Sequence, residues 1–160
     1  MERCTQGPLA TLLAAIAVAG IVGCASSRPP EHRHAAPEGW PVDRGKAVIT
    51  SGFGAPRGGS RHQGIDLAVP AGTAVRATAD GVVSFAGRAH GWGRCVVIDH
   101  IDGWQTRYAH LKRIKVDRGA RVRRGDLLGK AGRSGNASGS HLHYEVLRDG
   151  HPVDPRPTLE

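Results

Sequence analysis

The residues with the most distinctive chemistry are two histidines separated by one leucine. They lie in residues 139–145 (GSHLHYE), where polar and apolar side chains alternate as they do in a β-strand. Successive side chains of a strand point to opposite faces, so His141 and His143 share one face, about 7 Å apart along the backbone. Such a pair could bind a metal or transfer protons, or it could be two exposed surface residues. Partners elsewhere in the chain must decide between these interpretations.

A second group of candidates is His62 and Asp66, four residues apart in residues 61–70 (RHQGIDLAVP). Gly64 and Pro70 favour a loop that enters a strand over a helix. Imidazole and carboxylate are both zinc ligands, and a catalytic zinc site has three protein ligands and one open position. His62, Asp66 and one histidine of the pair would complete such a set.

A further histidine, His110, follows Tyr108 and Ala109 in a strand-like run. It would join the same cleft if its strand lies beside the strand of His141. The alternative is a structural histidine whose nitrogens are hydrogen-bonded inside the fold. Three other histidines adjoin glycine turns, and we expect them to lie outside the site: His90, His100 and His151.

The N-terminus reads as a targeting segment. Residues 9–22 form an apolar run behind Arg3, which is typical of a secretory signal and shorter than the roughly 20 apolar residues of a membrane span. The run ends in residues 21–24 (IVGC), which resemble a bacterial lipobox. That resemblance implies a signal peptide over residues 1–23 and lipidation of Cys24, and the Ala25 that follows favours the outer membrane, facing the periplasm. An ordinary cleaved signal with an incidental cysteine is the alternative.

The segment from residue 24 to residue 45 is rich in Ser, Pro, Glu, Arg, His and Ala and shows no apolar period, so we predict a flexible linker. Cys95 is the only cysteine after Cys24, which excludes a disulfide within the mature chain. Its Val/Ile-rich surroundings favour a small buried apolar residue over a metal ligand or nucleophile.

The segment from residue 46 to residue 157 predicts an all-β domain. Short β-branched runs separated by glycine turns predict strands at 47–50, 74–78, 81–85, 95–99, 105–111, 127–130 and 141–147. Asp-Gly pairs at 80–81, 102–103 and 149–150 are hairpin signals. We therefore expect an antiparallel β sandwich or open barrel without substantial helices.

The formal net charge of +8 favours an anionic environment, such as nucleic acid, anionic lipid or acidic cell-wall polymer. The chain has no basic helix and no aromatic platform for stacking bases, so we do not expect nucleic acid as a partner.

Several motifs in order along the domain carry a family resemblance. They are HQGID (62–66), GTAV (72–75), ADGVV (79–83), GWG (91–93), YAHL (108–111), VRRG (122–125), GSHLHYE (139–145), DG (149–150) and VDP (153–155). In these motifs the chain resembles the M23 family of zinc metallopeptidases, the LytM or lysostaphin type of peptidoglycan endopeptidase. Ser140 stands where proline is usual, and Tyr144 where phenylalanine is usual; neither departure removes a ligand.

The resemblance implies that His62, Asp66 and His143 bind one zinc ion per domain and that His141 and His110 are catalytic. We expect His141 to act as general base and His110 to stabilise the oxyanion or to protonate the leaving amine, although the two roles could be exchanged. The expected substrate is the peptide stems of peptidoglycan, cut at cross-links from D-alanine to diaminopimelate, with the membrane contacted through the lipid anchor.

Two alternatives belong to other functional classes. A non-catalytic envelope module of the same fold could activate a cell-wall amidase, but such modules typically lack some of the zinc residues. A histidine phosphocarrier of related barrel shape could also use paired histidines. Asp66 at ligand spacing from His62 and the secretion signal both count against the phosphocarrier.

Overall fold

The structure, a computed structural model, describes residues 36–160, so the predicted signal peptide and Cys24 lie outside the described residues. The described chain consists of short strands and two single-turn 3-10 helices, Arg44–Lys46 and Arg156–Leu159. The strands are β1 (Val48–Ser51), β2 (Pro56–Arg57), β3 (Ser60–Arg61), β4 (Ile65–Ala68), β5 (Ala74–Arg76), β6 (Gly81–Ala89), β7 (Gly93–Asp99), β8 (Trp104–Ala109), β9 (Leu111–Ile114), β10 (Arg121–Val122), β11 (Leu127–Ala131), β12 (His141–Arg148) and β13 (His151–Val153).

One eight-stranded sheet dominates the domain. Its order is β1-β4-β12-β8-β7-β6-β10, with β13 also paired to β12, while β5-β11-β9 form a smaller sheet and β2-β3 a short hairpin. Every strand pair is antiparallel. The predicted antiparallel all-β fold is confirmed. In residues 36–160, no helix has the length and apolar character needed to cross a membrane.

Strand β12 lies in the middle of the large sheet and divides its side chains between two faces. Leu142, Tyr144 and Val146 point into the hydrophobic core. The rings of Tyr144 and Tyr108 lie 5.4 Å apart, and their hydroxyls hydrogen-bond to the Thr78 hydroxyl at 2.9 Å and 3.0 Å. This shared polar contact satisfies two phenols that burial would otherwise leave unpaired. The alternation therefore commits the odd-numbered positions of β12 to the opposite face.

Two local predictions were wrong. Residues 105–111 form two strands rather than one, because the backbone at His110 adopts a left-handed conformation with φ of 61° and the chain passes from the large sheet to the small one. The Asp80-Gly81 pair does not join a hairpin, since β5 pairs with β11 while β6 pairs with β7 and β10. The other two Asp-Gly pairs do join hairpins, β7 to β8 and β12 to β13.

The domain extends beyond its predicted limits of residues 46 and 157. Within the predicted linker, Glu38 N donates to Thr78 O at 2.9 Å, Pro41 O accepts from Arg76 N at 2.8 Å, and Val42 is a core residue. Leu159 is buried in the same core. Apolar side chains on both flanks thus pack on the domain from about residue 37 to residue 159. Cys95 is buried, as predicted.

Candidate metal centre

The three predicted metal ligands come together. His62 Nε2 lies 2.9 Å from His143 Nδ1, and Asp66 Oδ1 lies 2.9 Å from His143 Nδ1 and 3.2 Å from His62 Nε2. The pairing of β4 with β12 sets Asp66 directly opposite His143, and His62 lies in the loop just before β4. All three residues are buried.

Hydrogen bonds on the outer side of each ring determine which nitrogen faces the cluster. His62 Nδ1 lies 2.9 Å from the Gly52 carbonyl oxygen, and His143 Nε2 lies 3.1 Å from Glu145 Oε1. These oxygens accept hydrogen bonds, so the outer nitrogens of the neutral rings carry the protons. The inner nitrogens therefore direct lone pairs toward one point, next to a carboxylate oxygen.

This donor set suits a divalent cation. Imidazole nitrogen and carboxylate oxygen are both common zinc ligands, and tetrahedral bonds of about 2.0–2.2 Å place ligand atoms roughly 3.3–3.6 Å apart. The observed separations of 2.9–3.2 Å are only a few tenths of an ångström shorter. Three mutually facing acceptors would repel one another without a proton or cation between them. The residues present thus fit a zinc ion.

The electrostatics of the cluster point the same way. Burial disfavours the charged carboxylate of Asp66, but hydrogen bonds from His143, when Nδ1 of that ring is protonated, and from Arg57 outweigh it and hold the pKa of Asp66 well below its usual range. Burial likewise opposes protonation of His143, yet its bonds to Asp66 and Glu145 raise the pKa of that ring. Burial lowers the pKa of His62. The site therefore keeps its carboxylate ionised and attracts positive charge.

The two remaining predicted residues, His141 and His110, stand beside this cluster. His141 Nε2 lies 3.7 Å from Asp66 Oδ1, and the ring centroids of His141 and His110 are 4.7 Å apart. Each ring donates from Nδ1 to a backbone carbonyl, His141 to Gly139 O at 3.0 Å and His110 to Ser134 O at 2.7 Å. In its neutral form each ring thus presents an unprotonated Nε2, and burial lowers the pKa of His110, which favours that form for His110.

The histidines excluded from the site lie elsewhere. His90 and His100 lie in turns and His151 begins β13, and none of them lines the cleft that contains the five predicted residues.

Glu145 and Arg107 are site residues to which the sequence analysis assigned no role. Glu145 is fully buried, and its second oxygen accepts from Arg107 Nη1 at 2.7 Å. The Arg107 guanidinium lies 4.8 Å from the ring centroid of Trp92, which in turn lies 4.8 Å from that of His143. Glu145 shares the strand face of both histidines two residues earlier, so the same alternation could have identified it. Arg107 could be found only from the pairing of β8 with β12.

A second arginine approaches the cluster from the β2-β3 hairpin. Arg57 hydrogen-bonds Asp66 Oδ2, the oxygen that faces away from the two histidines, and also reaches the Ser51 hydroxyl at 3.0 Å. This contact leaves Oδ1 as the oxygen directed at the histidines. No pattern in the sequence predicts the contact between Arg57 and Asp66.

The five predicted residues line one open cleft of about 660 Å³, within the range of small-molecule and peptide sites. Its walls include Arg57, Arg61, Asn136 and Ser138. The cleft can admit a peptide to the cluster.

The sequence of this domain is similar to sequences of known proteins. The sequence model of peptidase family M23 matches residues 60–155. The chain is 49% identical over 94 residues to the DD-carboxypeptidase/endopeptidase Mpg of Neisseria meningitidis serogroup B, covering 59% of this chain and 22% of the relative. It is 40% identical over 121 residues to the peptidoglycan DD-endopeptidase ShyB of Vibrio cholerae, covering 72% of this chain and 28% of that relative. The chain thus spans about a quarter of the length of these curated relatives.

Solved structures show the same similarity. A zinc-containing peptidase from Vibrio cholerae superposes with a TM-score of 0.70 at 37% identity, covering 78% of this chain and 40% of that one. The catalytic domain of lysostaphin from Staphylococcus simulans superposes with a TM-score of 0.66 at 30% identity, covering 71% and 92%. The chain therefore belongs to peptidase family M23.

Proposed function

We propose that this chain is a zinc-dependent endopeptidase that hydrolyses the peptide cross-links of peptidoglycan, at bonds from D-alanine to diaminopimelate. The observation that carries the proposal is the convergence of His62, Asp66 and His143 beside two further imidazoles in an open cleft. The names of the relatives, peptidoglycan DD-endopeptidase among them, support this substrate class.

Hydrolysis of an amide requires an activated water and stabilisation of the charge that develops on the carbonyl oxygen. Zinc, when bound, supplies Lewis acidity for both. His62, Asp66 and His143 would hold it. His141 presents its unprotonated Nε2 beside Asp66 and serves as general base, taking a proton from water.

His110 would serve the other half of the reaction. Once its Nε2 has taken up a proton from solvent, the ring can donate it to the oxyanion or to the leaving amine while Nδ1 stays bonded to Ser134 O. Because His110 and His141 have the same tautomer, exchange of their roles is the direct competitor of this assignment.

The location follows from the N-terminal motif. Residues 1–23 would be removed as a signal peptide, Cys24 would carry lipid, and the residues up to about 36 would tether the domain to the outer membrane, facing the periplasm. A Cys24→Ser variant should lose both fatty-acid label and membrane fractionation. Retention of both properties would rule out the anchor.

Incubation of the purified protein with isolated sacculi tests the activity. We expect release of uncross-linked muropeptides, identified by mass spectrometry, which a chelator abolishes and added zinc restores. A non-catalytic module would instead release nothing alone and would increase release by an added cell-wall amidase. That result would replace the proposed activity with the activator function.

A further inference from the structure

One part of the surface outside the cleft carries only positive charge. Three adjoining hollows there are lined by cationic side chains together with small or apolar residues, and no Asp or Glu lines any of them. We call the cations of this surface the basic face: Arg88, Arg94, Lys112, Arg113, Lys115, Lys130 and Arg133. Lys112 lines all three hollows, so they form one continuous surface.

Within residues 36–160, no ion pair includes a cation of the basic face. Two like-charge pairs even stand directly opposite each other across neighbouring strands, Arg88 with Arg94 and Lys130 with Arg113. Directly opposed like charges destabilise a sheet. An external anion would relieve this repulsion.

Protection of a sheet edge accounts for only part of this charge. Strand β9 is the last strand of the small sheet, and lysines on an edge strand discourage pairing with another chain. Arg94, however, lies on β7, which is an interior strand of the large sheet between β6 and β8. A second reason for the charge is therefore needed.

The basic face adjoins the candidate metal centre. Ser134 lines one of the hollows, and its carbonyl oxygen accepts the hydrogen bond from His110. Asn136 lines the cleft, and so does Trp92, two residues before Arg94. A polymer whose cross-link enters the cleft would therefore have its neighbouring segments beside the basic face.

We propose that the basic face binds the free carboxylates of peptidoglycan stem peptides next to the cross-link in the cleft; this inference rests on the proposed function. Seven cations spread over three hollows match several singly charged groups along a polymer better than one compact multivalent anion. The polymer in the cleft provides such groups in series. The basic face would thus hold the enzyme on its insoluble substrate.

Neutralisation of the basic face tests this proposal. The patch variant Arg94→Gln/Lys112→Gln/Arg113→Gln breaks both like-charge pairs and removes the residue common to the three hollows. The control variant Arg118→Gln/Arg121→Gln/Arg123→Gln removes the same net charge from exposed arginines elsewhere. Both proteins are sedimented with sacculi at low salt, with a chelator present to prevent hydrolysis.

We expect the patch variant to bind sacculi roughly tenfold more weakly, as the loss of three exposed ion pairs predicts, and the control to stay within about twofold of wild type. Sacculi whose carboxylates have been amidated should bind all three proteins weakly. At low salt without sacculi, the patch variant should have a higher Tm than the control. Equal loss in both variants, or no loss in either, would overturn the proposal.

Two further measurements separate the remaining outcomes. If binding persists on amidated sacculi, carboxylates are not the ligands of the basic face. If the patch variant loses binding only to vesicles that contain anionic phospholipid, the basic face binds lipid phosphate instead of carboxylates. Wild type should also hydrolyse a small soluble cross-linked muropeptide dimer. If wild type cannot cut this dimer, the proposed activity fails, whereas the sedimentation result still decides whether the basic face binds carboxylates.

Discussion

Replacement of Glu145 by glutamine probes how a buried carboxylate fixes the orientation of His143. The two oxygens of Glu145 accept from two donors, His143 Nε2 at 3.1 Å and Arg107 Nη1 at 2.7 Å. Glutamine keeps the shape but has one oxygen and one NH₂ group, so it can accept from only one of them. If the amide oxygen faces Arg107, the amide NH₂ faces His143 Nε2 and donates to it. The His143 ring then takes the tautomer with its proton on Nδ1, the nitrogen that would bind the metal.

The expected loss can be worked out from these contacts. Removal of an outer hydrogen-bond partner of a metal-binding histidine typically costs 10- to 100-fold in metal affinity, about 1.4–2.8 kcal/mol. In the other amide orientation, with the oxygen toward His143, the NH₂ faces the Arg107 guanidinium, whose side chain is only 23% exposed. In each orientation of the amide, two hydrogen-bond donors face each other. We therefore expect the loss of zinc affinity in Glu145→Gln to lie in the upper half of that range.

A double variant and a control make the test specific. In Glu145→Gln/Arg107→Met the opposing donor is gone, so the amide oxygen can accept from His143 and zinc affinity should recover at least in part. The control is Asp99→Asn on β7, the strand that pairs with the far side of β8. The Asp99 carboxylate accepts hydrogen bonds from Gln105 and Ser84, so its replacement should leave zinc affinity unchanged.

The measurement is zinc affinity of the metal-free proteins by competition with a chromophoric chelator. Circular dichroism under the same conditions establishes that each variant is folded. A folded Glu145→Gln protein with zinc affinity within twofold of wild type would refute the reasoning. If the double variant does not recover zinc affinity, the contact between the amide NH₂ and the Arg107 guanidinium is not the cause of the loss.

Three further predictions concern the site and the stability of the domain. His143→Ala should lose both zinc and activity, whereas His141→Ala should keep zinc and lose most turnover; metal analysis and muropeptide release check this, and full activity in either variant would contradict the assignment. Ser140 Oγ is buried without a hydrogen-bond partner within residues 36–160, so Ser140→Ala should be neutral or raise the free energy of unfolding by up to about 1 kcal/mol, measured with urea. Burial lowers the pKa of His100 below its ordinary 6.5. As the pH falls through 6.5, the unfolded chain therefore binds a proton at this residue before the folded chain does. The contribution of His100 to the free energy of unfolding is thus complete above pH 6.5 and declines below it. Wild type should therefore lose more stability than His100→Gln between pH 7.5 and pH 5.5, and equal losses would exclude this residue as the cause.

The sequence could predict those parts of the site that depend on local geometry. Alternation along one strand is enough to put His141 and His143 on one face, and it applies equally to Glu145. The opposition of Asp66 to His143 depends instead on the pairing of β4 with β12, which no local pattern encodes. The family resemblance supplied that grouping.

The predictions that failed have a common physical cause. An Asp-Gly pair favours a tight turn but cannot determine which strands its flanks pair with, so the turn before β6 connects two sheets instead of a hairpin. The left-handed backbone at His110 is likewise imposed by long-range packing and is uncommon for a histidine. Arg57 reaches Asp66 only through the β2-β3 hairpin, whose two-residue strands are too short to be recognised.

The position of β12 between β4 and β8 has a consequence for how the molecule acquires its chemistry. His62 and His143 are 81 residues apart in the chain, and only the insertion of this late strand brings them together. Closing so long a loop costs entropy that is recovered only when the strand is fully paired on both sides. The nascent chain therefore has no complete metal centre until His143 has been synthesised, and a fragment that ends before residue 141 would have none.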